Sequence, residues 1–306
     1  MAAVSISGLW AALRRLRLGL PRRKVPLMGL AAAFLFTAQM LNFPVVGGTS
    51  GHLLGAVLAA VLLGPSAAVV VMTAVLVVQC LLFADGGVLA LGANVFNMAI
   101  AAVLGGYAVF RTTSRLLPGR RGLLAAAAFA SWCSVVLASV CCAGELAWSG
   151  VAPWGLVFPA MANIHMLIGL GEGLITALVL VAIQKTRPDL LDRSAQPTSP
   201  RPYRLVLAAG LLVTSALLLL GLPFASHWPD GLERVAESLG FTQRATQQPQ
   251  LLPPMVDYRV PGLGSAITAT WTAGVAGTVV AFLLAYGLAV ALVPKSETES
   301  APWGGS

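Results

Sequence analysis

Apolar runs of about twenty residues, parted by short clusters of arginine and lysine, recur along the whole chain. A run of that length is what a helix needs to cross the roughly 30 Å hydrocarbon layer of a bilayer. In lipid, the backbone can satisfy its own hydrogen bonds only as helix or closed barrel. Long unbroken apolar runs favour the helix, so the expected fold is an all-α polytopic membrane protein. Composition agrees: 58% of the 306 residues are hydrophobic and 10% are charged, whereas soluble domains carry about 25% charged residues. The net charge of +8 sits in the breaks between runs, where it reads as a topology signal and not as a nucleic-acid surface.

Residues 1–20 hold too few apolar positions for a complete span and read as the tail of a helix. The basic segment from Arg14 to Lys24 follows, expected on the cytoplasmic side. Complete spans are expected at about 26–46, 66–84, 88–110, 123–148, 159–183, 203–224 and 263–293. The stretch 52–63, ended by Gly64-Pro65, is too short to cross alone and reads as a half-span set against its neighbours. The spacing predicts about eight transmembrane helices, six or so in a first module and two in a second, with both termini cytoplasmic.

The corresponding divisions are a helix remnant and basic segment at 1–24, a membrane module at 25–186, a Pro-, Ser- and charge-rich cytoplasmic linker at 187–202, a second module at 203–293 with an outer loop at 226–262, and a disordered tail at 294–306. Within that outer loop, Trp228 to Glu233 reads as the opening of a short helix. Val235, Ala236 and Leu239 form its apolar face and Gly240 closes it.

Few polar residues interrupt the spans, and each is a candidate for function because polar groups at membrane depth are costly. His52 lies in a run of small residues, Val45 to Gly55, reading V-V-G-G-T-S-G-H-L-L-G. A neutral imidazole is a metal ligand, and the glycines let backbone close on something small. Thr49 and Ser50 belong to the same loop. Gln39, Asn42, Asn94 and Asn97 read as hydrogen-bonding glue between helices or as supports for that loop.

His165 and Glu172 are seven apart and so share one stripe of their helix. That pair suits a proton relay, a metal site or a polar lock between helices. His227 lies beside the short outer helix. The four cysteines, Cys80, Cys133, Cys141 and Cys142, lack metal-site spacing and read as packing residues. No HExxH pair occurs, so an intramembrane metalloprotease has no support. No phosphate-binding G-x-x-x-x-G-K-[ST] loop occurs either, so any ATP hydrolysis is expected outside the chain, itself read as no enzyme.

The segments R-R-K-V-P-L-M-G-L, A-Q-M-L-N-F-P-V, G-G-T-S-G-H-L-L-G, L-F-A-D-G-G, A-N-V-F-N-M and G-L-G-E-G-L-I-T run through about 22–186. In these the chain resembles the CbiM/NikM family, the substrate-binding membrane component of cobalt and nickel energy-coupling-factor transporters. The second module, with W-P-D-G-L-E, resembles the PDGLE domain that accompanies the family as a fused or separate NikN/CbiN-like subunit.

The resemblance implies Co2+ or Ni2+ as the transported ligand, with no organic cofactor and no nucleic acid. It implies a multi-pass place in the cell membrane's lipid bilayer, beside a transmembrane coupling protein of the CbiQ/NikQ type and cytoplasmic ATPases of the CbiO/NikO type. It also implies a near-square-planar set of nitrogens around the ion, which suits Ni(II) and low-spin Co(II). His52 would be one ligand; the N-terminal amine and a histidine at the second residue, in a Met-His-Ile-Pro-Asp-Gly opening, would supply others.

This chain instead begins Met1-Ala2-Ala3 and has no histidine before His52. The expectation is that translation starts further upstream; the alternative is that the usual site has been lost. Two other functions remain open beside metal capture: a stand-alone secondary carrier working through His165 and Glu172, and a sensor or scaffold descended from a metal transporter.

Overall fold

The computed structural model describes residues 1–191, 203–244 and 253–294. Helix α1 (Ala2–Arg17) leads to α2 (Val25–Met40), then to a hairpin of β1 (Phe43–Val45) and β2 (Thr49–Gly51). Helices α3 (Ala56–Leu63) and α4 (Pro65–Phe83) follow. Next, α5 (Gly87–Asn94) runs through a π-helical turn, Val95–Ala101, into α6 (Ala102–Leu116). Two long helices, α7 (Gly119–Trp148) and α8 (Trp154–Thr186), complete the first module. The second contributes α9 (Tyr203–Gly221), α10 (Gly231–Ser238) and α11 (Ala266–Leu292).

Among the described residues, six helical segments are long and apolar enough to cross a bilayer: Pro65–Phe83, Gly87–Leu116, Gly119–Trp148, Trp154–Thr186, Leu205–Phe224 and Ala266–Leu292. The chain is a multi-pass membrane protein. A count of about eight is reached by adding α2, with 16 residues, and α3, with 8. Eight residues make about 12 Å of helix, so α3 is a half-helix and survives at membrane depth because protein surrounds it.

The glycine-rich loop carries a short hairpin: Phe43 pairs with Gly51, Pro44 with Ser50 and Val45 with Thr49 in antiparallel register. Two expectations need correction or restriction. Helix α8 does not start at Pro159. It starts at Trp154 behind Pro153, because residues 149–153 already turn the chain, and Pro159 is carried inside the helix. The tail from 295 and the linker from 192 to 202 lie outside the described residues. The linker's first residues form a short turn, Pro188–Leu190, where Arg187 grips Asp189 through two hydrogen bonds at 2.8 and 2.6 Å. That guanidinium holds the Asp189 carboxyl below its usual range.

Apolar side chains in a bilayer gain little from leaving lipid, so the helices associate through close approach of small residues. On α11, Ala273, Gly277, Ala281, Ala285 and Ala289 form a stripe at four-residue spacing. A side chain at Gly277 would meet the ring of Phe36 on α2. Thr37 and Thr278 share a hydrogen bond of 2.8 Å along the same seam. Helices α7 and α8 use the same device. A side chain at Gly173 would fall 2.8 Å from the Ala128 carbonyl, and Ser131 donates to Thr176 at 3.2 Å.

The second module is also tied to the first through its extramembrane segment. Tyr258 stacks on Phe83 with ring centroids 4.6 Å apart, and its hydroxyl donates to Asp85. Burial and the Asp85 carboxylate push the Tyr258 hydroxyl well above the ordinary tyrosine range, so it stays a donor. Helix α10 opens with a capping box: the Glu233 amide donates to Asp230 Oδ1 at 2.8 Å, and the Asp230 amide to Glu233 Oε2 at 3.0 Å. Its buried residues Val235 and Ala236 pack with Ala143, Ala152, Val157 and Met161 at the junction of α7 and α8.

Candidate metal centre

The hairpin, the end of α7, the start of α8 and α10 meet at one end of the bundle. Residues Thr49 and Ser50 face the W-P-D segment of the second module. The Ser50 amide donates to the Pro229 carbonyl at 2.8 Å, its hydroxyl to the Trp228 carbonyl at 2.7 Å, and the Thr49 hydroxyl to Pro229 at 3.0 Å. Asn42 takes part through its backbone carbonyl, which accepts from the Ser226 amide at 2.7 Å. The grip is on main-chain groups, which leaves few backbone polar atoms of this segment unpaired.

His52 follows β2 directly. The residue is partly exposed, and its Nδ1 lies 3.5 Å from the Leu53 carbonyl. The next residues are held hard. Glu172, 0% exposed on α8, accepts the Leu54 amide on Oε2 at 2.6 Å and the Gly55 amide on Oε1 at 2.7 Å. These amides lie immediately before α3, at the positive end of its dipole. Gly55 sits at φ +73°, and a side chain there would strike Leu35. Gln39 adds a third tie, donating from Nε2 to the Leu54 carbonyl at 2.9 Å. At the other end of α3, Lys24 Nζ donates to the Leu63 carbonyl at 2.8 Å, a cation where the dipole wants one.

His165 lies one helical stretch before Glu172, with Nδ1 at 2.8 Å from the Met161 carbonyl. A carbonyl can only accept, so Nδ1 carries a proton. The Nε2 edge of the ring faces Gly231, where a side chain would collide with the imidazole and with Ile168. His52 and Asp230 are the charged or titratable groups that act on His165 from other elements.

The remaining sequence candidates fall elsewhere. The Asn94 amide packs against Gly86. Asn97, in the π-helical turn, donates from Nδ2 to Glu145 Oε2 on α7 at 3.0 Å. Sequence reasoning did not pair these two, since 48 residues separate them. Among the described residues no group of three or more His, Cys, Asp or Glu side chains could hold a metal ion. His52, Thr49, Ser50, Gln39 and Glu172 are thus brought together by one loop, with His165 alongside, while Asn94 and Asn97 belong to a neighbouring region.

The model of the cobalt uptake substrate-specific transmembrane region, CbiM, matches residues 1–190, and that of the PDGLE domain matches residues 204–294. The NikMN protein of Archaeoglobus fulgidus is 39% identical over 287 residues, covering 93% of this chain and 92% of its own length. The fused nickel transport protein NikMN of Rhodobacter capsulatus is 32% identical, covering 89% and 82%. The cobalt transport protein CbiM of Geobacter sulfurreducens is 34% identical, covering 70% and 65%. A crystal structure described as a truncated transition metal transporter superposes with a TM-score of 0.55 at 33% identity, covering 60% of this chain and 92% of that one. The chain belongs to the CbiM family, with a PDGLE domain fused behind the family's transmembrane region.

Proposed function

We propose that this chain is the substrate-capture component of an ATP-driven cobalt or nickel uptake transporter, and that it takes the divalent ion at the outer face with His52 as a ligand. The observation that carries the reading is the clamp on both sides of His52. Ser50 is tied to Trp228 and Pro229 before it, and Leu54 and Gly55 are tied to Glu172 after it. A loop fixed that closely presents one imidazole in a set direction, which is what a nitrogen-rich square-planar site asks of its ligand. Relatives named as nickel and cobalt transport proteins support the same reading. The chain holds no phosphate-binding loop, so ATP hydrolysis falls to cytoplasmic partner subunits, joined through a transmembrane coupling protein.

A stand-alone proton-coupled carrier is less well supported. It would use Glu172 as a proton carrier, yet both carboxylate oxygens already hold backbone amides. The test is uptake of radioactive cobalt or nickel in cells that express the chain together with its coupling and ATPase partners. His52→Ala abolishes uptake on this reading. Uptake unchanged by His52→Ala removes His52 from the site, and uptake that persists without the partners favours the carrier.

A further inference from the structure

Asn97 Oδ1 and Glu145 Oε1 are buried and have no hydrogen-bond partner among the described residues. Asn97 is 6% exposed. Each residue has committed one polar atom to the other, Nδ2 to Oε2 at 3.0 Å, and each keeps one bare oxygen. An ionised carboxylate and an amide oxygen cannot satisfy each other. Left bare, buried acceptors carry a cost, and a donor or a cation beside them removes it.

The setting favours a cation. Glu145 supplies a carboxylate. Cys141, one turn back on the same face of α7, brings a thiol into electrostatic reach of it. Asn97 sits in the π-helical turn Val95–Ala101, a distortion that concentrates at functional sites. The pair also lies at the same end of the bundle as His52. Asp230 acts electrostatically on Cys142, three residues from Glu145, and on His165, which in turn feels His52.

We propose that Asn97 and Glu145 form a second, weaker site for the transported divalent transition-metal cation. The ion takes Asn97 Oδ1 and Glu145 Oε1 as ligands and keeps water on its other positions. This deepens the metal-capture reading and rests on it for the identity of the ion. An oxygen pair holds Co2+ or Ni2+ less tightly than a set of nitrogens does. A site that an ion must leave as well as enter is served by that weakness.

The test is calorimetric titration of Co2+ into the purified full chain in lipid nanodiscs. Glu145→Gln preserves the acceptor for Asn97 Nδ2 and removes the charge; Asn97→Ala removes the other ligand. A melting curve for each variant checks that it is folded. The wild type is expected to show a weaker binding event that persists in His52→Ala and loses at least tenfold in affinity in Glu145→Gln and in Asn97→Ala. The proposal is overturned if both variants titrate like the wild type, or if Mg2+ occupies the weaker site as well as Co2+ does. A wild type that binds one ion, lost only in His52→Ala, leaves the capture reading standing and removes the second site. Binding unchanged in His52→Ala but weakened in Glu145→Gln does the reverse.

Discussion

Glu172 and Gly55 are 117 residues apart in the chain and 2.7 Å apart across the hydrogen bond that joins them. With the Leu54 amide at 2.6 Å on its other oxygen, the carboxylate ties down the two residues that lead into α3, a cap on the entering chain where the helix has no capping side chain of its own. The residue with the most freedom to do proton chemistry in the sequence is therefore committed to holding a loop. Glu172→Ala strands two buried amides and is expected to cost about 2–6 kcal/mol. Glu172→Gln keeps one acceptor and costs less. Melting in detergent measures both; equal stability of wild type and Glu172→Ala would show that the cap carries no weight.

The tie between modules at Ser50 is local and can be read at one amide. Ser50→Ala removes the hydroxyl bond to Trp228 but leaves the backbone bond to Pro229, a loss of about 0.5–1.5 kcal/mol. The residue-50 amide is expected to exchange with solvent roughly two- to tenfold faster if opening of this contact limits exchange. Hydrogen exchange with mass spectrometry on the 43–55 segment checks it, and unchanged protection would mean that the hydroxyl contributes nothing.

The seam between α2 and α11 tolerates no added bulk. Gly277→Val puts atoms where the Phe36 ring already lies, and overpacking of this kind costs about 1–3 kcal/mol. The expected outcome is a lower melting temperature, with Phe36→Ala restoring part of it in the double variant. A neutral Gly277→Val would mean that the helices are free to separate.

Tyr258 gives the fold a dependence on alkaline pH. Its folded pKa lies above the unfolded value of about 10. The folded state thus holds the proton more tightly, and the stabilisation is complete below about pH 10 and is lost as pH rises through the folded pKa. Melting temperatures measured from pH 8 upward should fall more steeply above about pH 10 in the wild type than in Tyr258→Phe. Parallel curves would show that the Asp85 contact does not couple to folding.

The helices were legible because a bilayer demands long apolar runs and because Gly64-Pro65 ends α3 unmistakably. The short helix after Trp228 was legible too, since Asp230 and Glu233 carry a capping box in their spacing. The hairpin was not. V-V-G-G-T-S-G has no alternating apolar pattern, and its second strand is held by carbonyls from Trp228 and Pro229, which local sequence cannot announce. Proline also misled at 159, where a helix start fits local preference but the turn at 149–153 had already set the boundary. The stripe shared by His165 and Glu172 could be read from spacing. Their actual partners, Met161, Gly231, Leu54 and Gly55, follow from tertiary contact alone.

Helix α3 has a carboxyl from α8 fixed just ahead of it and a cation from the start of α2 fixed at its foot. Nearly all of its residues are buried between them, in an interior that compresses little. A shift of the His52 loop cannot be absorbed inside eight residues so confined. It must either pull the loop off Glu172 or drive the whole helix against Lys24, so that an event at the hairpin is felt, as displacement, at the basic end of the bundle.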